Sequence, residues 1–598
     1  MGGAGAHTGD GGTPLSLCIV GCGPRGASLT ERILANAPAL YGDRPLDLHL
    51  VDPYPPGAGR TWHTGQSGLL WMNSAADQVT VYPDATVDCA GPSRPGPTTA
   101  AWLNGPLHDG SYAARRDQGR YLLDFFAAVT EAAPASVRLH LHRARAVDLR
   151  RGADGRQQVL LDTGGPVHAD RVVLAQGHPD VRPEPAPSGL TRIGPGPADP
   201  DALERIPPGA PVIVRGLGLV FVDCLALLTE GRGGRFTGPP GGPLRYRPSG
   251  REPRLYAGSR RGVPLPPKPA PDPAGPSTGA EPLRFAGAAA CRAALARPGA
   301  DFDRDLWPLI RAELGWWHYR ALFAAGPDRT RMTWPDFDAQ YALLVTDAER
   351  LAKLAAAAVP DPTDRLDLDR LAAPLAGRTF AGPDDLQHRL RAHLATTLHR
   401  RTGPAAGTER ALVDALRRTG EVIEELWRAG DLDGTALADA LRRFALGTYL
   451  SSGPPPLRAA QLLALAEAGI VTFVGPDLRV ETGRGAFRAT SPAVPGAVHE
   501  AAVLLDARLA MPAPDRLADP LLRALWDRGE LSFAPGSEGA AVPRLDGPAL
   551  HPVGADGAVH RDRFVLGPAQ FPRPHANAAA LRQTDALARR LLGDAAGA

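Results

Sequence analysis

The stretch that most constrains this chain lies near its start. Leu15 to Val20 is an apolar, strand-like run; Gly21-Cys22-Gly23-Pro24-Arg25-Gly26 follows at once, and a helical pattern runs from Ala27 through Leu34. A second apolar run, Leu46 to Val51, ends in Asp52. Strand, glycine turn, helix, strand, acid is the order in which a βαβ unit holds a dinucleotide. Glycine permits the tight turn and lets backbone N–H groups approach a pyrophosphate, and the helix N-terminus adds partial positive charge. Asp52 can accept hydrogen bonds from a ribose. Gly21, Gly23, Pro24, Arg25, Gly26 and Asp52 are the expected first cofactor-binding set, with Pro24-Arg25 beside phosphate. The alternative is a glycine-rich turn that binds nothing.

The chain has 598 residues, room for several domains at about 150 residues each. Hydrophobic residues make up 43%, ample for a core, and 66 basic residues stand against 64 acidic ones. That balance carries no signal for nucleic acid or an acidic partner. Lys268 and Lys353 are the only lysines, so positive charge is nearly all arginine. No apolar run reaches the roughly 18 residues of a membrane span. Residues 1–14 are Gly-rich and lack a basic stretch followed by an apolar one, so they are expected to be a floppy leader without an export signal. Cys18, Cys22, Cys89, Cys224 and Cys291 form no CxxC pair and suit a reducing cytoplasm.

Short alternating strands follow at Val137–His142, Gln158–Asp162 and Arg171–Ala175, and the last ends in Gln176-Gly177-His178. A three-stranded meander followed by a buried strand ending in glycine resembles the glutathione-reductase-type FAD/NAD(P)-binding flavoproteins. The resemblance implies that this strand returns to the first sheet, with Gly177 near FAD. A second βαβ unit then begins: strand Pro211–Arg215, turn Gly216-Leu217-Gly218, and an apolar helix from Leu219 to Leu228. Phe221 stands where the fingerprint has its third glycine. The partner strand, Arg254 to Gly258, ends in Ser259-Arg260-Arg261. A carboxylate there would repel a 2′-phosphate, whereas arginine can clamp it with two hydrogen bonds. Gly216, Gly218, Ser259, Arg260 and Arg261 therefore point to NADPH in preference to NADH; the alternative for the two arginines is simple solvation.

Pro264 to Pro282 is too proline-rich for anything but loop or linker. From about Phe285 to Ala468 the pattern is helical, as in Leu306–Phe323, Tyr341–Ala358, Leu386–Leu398 and Ala411–Trp427. A second meander, at Ile470–Val474, Asp477–Glu481, Ala486–Thr490 and Ala501–Asp506, is expected to lead back into the first domain. The chain closes with a strand, Arg563–Leu566, then Gly567-Pro568 and an amphipathic helix over Ala578–Leu592. The resemblance implies that Gly567 lies against the flavin, although Pro568 replaces the usual acid.

Three segments narrow the resemblance. Gly57-Ala-Gly59-Arg-Thr-Trp62 is similar to a stretch near the flavin of class B flavin monooxygenases. Leu69-Leu-Trp-Met-Asn73-Ser-Ala-Ala resembles a segment of an actinobacterial FAD/NAD(P)-binding family. Tyr112 to Leu122 looks like the segment before a helix that faces the flavin. These likenesses imply Trp62 and Asn73 at the flavin, Asn73 hydrogen-bonding to it or to oxygen there, and His63 and Asp77 as proton-transfer candidates. No Baeyer–Villiger signature follows Gly177, and no paired thiols suit a disulfide reductase. His140 and His142 alternate on a strand without a third ligand nearby and are expected to be a solvated face. Trp316-Trp317-His318-Tyr319 is expected to be helix core rather than a substrate pocket.

The expected fold is α/β: two Rossmann-like dinucleotide-binding domains, three-layered with β-meanders, and a large helical insertion. The expected FAD domain comprises 15–205 and 500–598, the NAD(P) domain 206–284 and 466–499, and a helical substrate or lid region 285–465. The resemblance implies an NADPH-dependent, FAD-containing monooxygenase that oxygenates N, S or C of a small metabolite with O2, the nicotinamide and flavin meeting in a water-poor cleft. Alternatives are a flavin dehydrogenase or oxidase, and a dinucleotide-binding redox sensor. No metal, nucleic acid or membrane partner is expected. Substrate and oligomeric state are not legible.

Overall fold

A computed structural model describes residues 14–239, 241–270, 281–403, 406–483, 485–510, 513–535, 541–568 and 571–596. The expected leader therefore lies outside the described residues, apart from Pro14, as does most of the Pro264–Pro282 linker. The chain forms two compact units, one running to Pro183 and resuming at Ala510, the other spanning Glu184–Leu509. Each is built on a parallel sheet. The sheet strands, in chain order, are β1 Leu15–Val20, β2 Leu46–Val51, β3 Val137–His142, β4 Arg171–Leu174, β5 Thr191–Ile193, β6 Pro211–Arg215, β7 Arg254–Gly258, β8 Val471–Gly475, β9 Val503–Asp506 and β10 Arg563–Val565.

The first sheet has the order β10-β4-β1-β2-β3, all parallel. Its central strand is apolar on both faces because both faces are covered. Leu17 and Ile19 pack with Leu29, Ile33 and Leu34 of helix α1 (Pro24–Leu40), and with Leu587 and Leu591 of the C-terminal helix. Cys18 and Val20 point the other way, into a core with Leu149, Val159 and Val167 of the antiparallel meander Ala146–Arg151, Gln157–Leu161 and Val167–Ala169. The meander thus begins later than expected. Val137–His142 pairs in parallel with β2 as the sheet's edge strand. Its alternation comes from one-sided exposure at that edge, where Leu141 is 54% exposed.

The second sheet repeats the plan, with order β8-β7-β6-β9-β5, again all parallel. Val212 and Val214 face the helical side, while Ile213 packs with Phe487, Ala489 and Ala501 of the meander Arg479–Gly483, Ala486–Thr490 and His499–Ala501. The domain boundaries expected from sequence need correction. Thr191–Ile193 and Val503–Asp506 pair with each other, and the latter pairs with β6, so residues 184–205 and 500–509 belong to the second unit and not to the first. The second meander leads back to its own sheet before the chain returns to the first unit.

The helical region lies between β7 and β8 and shares one hydrophobic core with the second sheet. Its helices include Trp307–Ala325, Pro383–Thr402 and Ala406–Ala429. The run expected at Tyr341–Ala358 is broken: one helix ends at Ala342, and Asp347 caps the next by accepting from the Arg350 N–H. Trp316, Trp317, His318 and Tyr319 are all buried. The Trp317 indole donates to Glu313, which also receives the backbone N–H groups of Arg284, Phe285 and Ala286. The aromatic cluster is helix core. No described helix is long and apolar enough to cross a membrane.

Three histidines ladder across β2 and β3. His49 stacks on His140 at 4.5 Å between centroids, and its Nδ1 lies 3.0 Å from Nε2 of His142. His140 Nε2 pairs with Asp47 at 2.8 Å. No cluster of three metal-ligating side chains occurs among the described residues. Burial first, then the neighbouring His140 and His142, lowers the His49 pKa to about 4. An unfolded histidine titrates at about 6.5, so below that pH the unfolded state binds the proton first. Stability should therefore fall as pH drops from about 6.5 to about 4, and His49→Gln should flatten that slope. Urea unfolding across this range measures it; an unchanged slope in the variant would contradict the assignment.

Candidate functional site

The first glycine turn sits at the C-terminal ends of β1 and β4, where the strand order reverses. Gly21 has φ +94°, and a Cβ there would lie 2.6 Å from the carbonyl oxygen of Ala175, the residue after β4. Its N–H donates to Val51 O at 2.8 Å, joining the turn to β2. A Cβ on Gly26 would lie 2.0 Å from Gly21 O. The fold itself requires these two glycines. Gly23 differs: a Cβ there would meet nothing nearer than Gly59 Cα, at 3.8 Å. Helix α1 starts directly after it, with proline at its first position and no side-chain cap. Its N-terminal amides are therefore not claimed by a capping side chain.

Asp52 is 7% exposed and does structural work as well. Its Oδ2 accepts from Cys22 N–H at 2.7 Å and its Oδ1 from Tyr54 N–H at 2.8 Å. Burial raises its pKa against those hydrogen bonds. Each oxygen retains a lone pair that a hydroxyl could use. A cleft of about 270 Å³ opens here, lined by Gly21, Gly23, Pro24, Asp52, Gly59, Trp62 and Gly177. The bare backbone at Gly23, Gly59 and Gly177, with a carboxylate on one wall and an indole on another, fits a dinucleotide.

Other expected site residues take different places. Arg25 borders the cleft, but its guanidinium turns to the C-terminal helix, donating to Ala580 O at 2.9 Å, Thr584 Oγ1 at 3.1 Å and Gln583. It ties that helix down instead of facing phosphate. Gly567 is not part of the lining, whereas Pro568 is. Asn73, His63 and Asp77 also lie outside it. Asn73 is half-buried on a segment held by the Met72 N–H to Ala113 O bond, while His63 and Asp77 are exposed. Arg145, which sequence reasoning passed over, lines the cleft just before the meander. No local motif marks it. Cys18 and Cys22 are buried free thiols, and burial raises the Cys18 pKa to about 12. Thiol redox chemistry has no footing there.

The second turn copies the first. Gly216 has φ +117°, donates to Gly258 O at 2.9 Å, and would place a Cβ 2.7 Å from Ala507 O, the residue after β9. Gly218 is again open, with Leu265 Cδ1 at 4.0 Å, and helix α2 (Leu219–Leu228) starts from it without a side-chain cap. Phe221 is 1% exposed in the core. After β7, Ser259 Oγ accepts from Gly262 N–H at 3.1 Å. The expected two-arginine clamp is not formed. Arg261 stacks 4.5 Å over Tyr449 and donates to Ala372 O at 2.9 Å, toward the helical region, while Arg260 is exposed.

Comparison with known proteins agrees with this geometry. Residues 18–179, which hold the first cleft, match a FAD-NAD(P)-binding family. An L-aspartate N-monooxygenase (nitrosuccinate-forming) from Streptomyces davaonensis is 37% identical over 97% of both chains. A second, from Streptomyces cremeus, is 38% identical over 96% of this chain and 94% of its own. A nitrosuccinic acid synthase from Aspergillus oryzae is 36% identical over 98% and 94%. The chain belongs to this family of FAD- and NAD(P)-binding monooxygenases. As such a flavin monooxygenase it is an NAD(P)H-dependent oxidoreductase acting on a small molecule with O2. The oxygen-inserting reading stands over the dehydrogenase, oxidase and sensor alternatives.

The two kinds of glycine in this monooxygenase should separate by experiment. Gly26→Ala drives a methyl against Gly21 O and should cost about 3 kcal/mol or more of unfolding free energy. Gly23→Ala should cost about 1 kcal/mol or less, yet weaken FAD about tenfold because its methyl projects into bare space. Urea unfolding of the apoprotein and fluorescence titration with FAD give the two numbers. Equal loss of stability in both variants would contradict this division.

Proposed function

We propose that this monooxygenase oxidises the α-amino nitrogen of L-aspartate, carrying it to the nitro level. The supporting observation is 36–38% identity across nearly the whole chain to three proteins whose names state that product or its formation from aspartate. In the first cleft, the turn that Gly21 permits brings the Gly23 N–H and the start of α1 to the FAD pyrophosphate. Asp52 accepts from the ribose, and Trp62 and Gly177 border the remainder. In the second unit, the turn that Gly216 permits brings Gly218 and the start of α2 to the NADPH pyrophosphate, and Ser259 and Arg260 meet the 2′-phosphate. Arg261 supports that strand end by its packing on Tyr449.

Bound FAD supplies the route by which hydride electrons from NADPH reach O2. The substrate nitrogen must arrive unprotonated, since only its lone pair can take up oxygen. Amine to nitro is three successive two-electron oxidations. Each consumes NADPH and O2 and passes one oxygen atom to nitrogen and the other to water; after the second step the N,N-dihydroxy group loses one of its oxygens as water to give nitroso, so the third step leaves two oxygens on nitrogen. The five free cysteines and the demand for NADPH support a cytoplasmic location.

The holoenzyme should consume NADPH faster with L-aspartate than with succinate, which lacks the amine, at about three NADPH per product. Under isotopically labelled O2, mass spectrometry should find two labelled oxygens on the product's nitrogen. NADPH consumption that L-aspartate leaves unchanged, with only hydrogen peroxide formed, would overturn the substrate assignment and leave the family assignment intact.

A further inference from the structure

Beside the second glycine turn lies a charge cluster with no role in the assignments above. Asp506, the last residue of β9, is 1% exposed and carries two guanidiniums. Arg508 binds it through Nε at 2.7 Å and Nη2 at 3.0 Å, and Arg215 binds its Oδ2 through Nη2. Two cations against one carboxylate leave the cluster positive. Glu184, the other carboxylate that acts on Arg508, is paired with Arg192. Arg508 remains 53% exposed, and the Nε of Arg215 is buried without a partner.

The position of the cluster matters more than its charge. A Cβ on Gly216 would lie 2.7 Å from Cγ of Arg508, so the arginine stem crosses directly over the turn. In this sheet β7 flanks β6 on one side and β9 on the other. A dinucleotide crossing the C-terminal edge at such a reversal lays its adenosine half toward the second strand and its other half toward the returning strand. Ser259 and Arg260 stand on the β7 side. Arg508 stands on the β9 side, beside the parts that NADPH and NADH share. The equivalent position in the first unit, after Ala175, is Gln176, an uncharged amide donating to Asp519 at 2.8 Å.

We propose that Arg508, held in place by Asp506 and backed by Arg215, is a pyrophosphate contact of the nicotinamide coenzyme in the second crevice. The carboxylate fixes one edge of the guanidinium and leaves the donors at Nη1 for a phosphate oxygen. Arg508 thereby contributes affinity for the coenzyme without choosing between its phosphorylated and unphosphorylated forms; that choice belongs to the β7 end. The proposal rests on the second crevice being the nicotinamide site.

Titration calorimetry of the FAD-loaded protein with NADP+ and with NAD+ tests both layers. Arg508→Gln should weaken both ligands by the same factor, about tenfold, and Arg508→Lys should recover part of it. Retained FAD and an unchanged circular dichroism spectrum establish that each variant is folded, and the lysine variant keeps the charge should the glutamine variant fail that check. Gly218→Val, which fills the open face of the turn, serves as the control for the crevice. If Gly218→Val abolishes binding while Arg508→Gln stays within about twofold of wild type, the Arg508 assignment falls alone. A loss confined to NADP+ would also overturn it, because the contact would then be to the 2′-phosphate. If neither variant changes binding, the crevice assignment falls and this one with it.

Discussion

One close approach recurs in both units, and the architecture around each crevice depends on it. The strand that returns from the meander must lie beside the first strand, and the residue after it presents a carbonyl to the first glycine of the turn. Ala175 O does so at Gly21 and Ala507 O at Gly216, both nearer than any side chain could allow. Because no Cβ intervenes, the two strand ends stay at sheet spacing and the helix starts immediately above them. The same glycines donate sideways, to Val51 O and Gly258 O, so the turn is fixed to strands on both flanks. A crevice of fixed width at the strand reversal is the consequence.

This part of the fold is legible in sequence because it is local. Leu15 through Asp52 contains strand, turn, helix, strand and acid within one βαβ unit, and the second turn is readable even with Phe221 in place of glycine. Segments whose meaning depends on distant partners are less readable. Val137–His142 alternates like a meander strand because an edge strand of a parallel sheet is covered on one side only. Val503–Asp506 is four buried residues, and nothing within them says which of two parallel sheets they join. Pairing with β6 decides it, and that partner lies far back in the chain.

Long side chains fail for the same reason. Arg25 sits in the fingerprint itself, where a phosphate partner is the natural reading, yet its partner Ala580 is 555 residues away. Arg261 meets Ala372, 111 residues away, where an adenosine phosphate was expected. An arginine reaches far enough to leave its local motif, so residue type and position fix its charge but not its direction. His63, Asn73 and Asp77 are read from the family-like segment Leu69–Ala76 and its flanks, which lie close to Trp62 in sequence. The chain turns between them, and only Trp62 reaches the cleft. Backbone requirements were more reliable guides than side-chain chemistry, since a glycine's need for space is met within a few residues.

The two crevices show how a repeated backbone can take different chemistry. Asp52 spends one lone pair of each oxygen on the N–H groups of Cys22 and Tyr54, so it builds the first turn while keeping acceptors for a ligand. In the second unit that strand end carries Ser259 and Arg260, and the carboxylate appears across the turn instead, as Asp506. Moving the acid from one side of the first strand to the other reverses what surrounds the opening. At the strand ends, the first cleft has a carboxylate after β2 and a neutral amide, Gln176, after β4, its arginines Arg60 and Arg145 lying elsewhere in the lining; the second turn has guanidiniums after both flanking strands. A ligand that must stay bound through many turnovers gains from buried, directional contacts, whereas one that exchanges in every turnover gains from exposed charge that attracts it over distance and releases it readily. Under the proposed assignments, the burial of Asp52 and the exposure of Arg260 and Arg508 would follow that division.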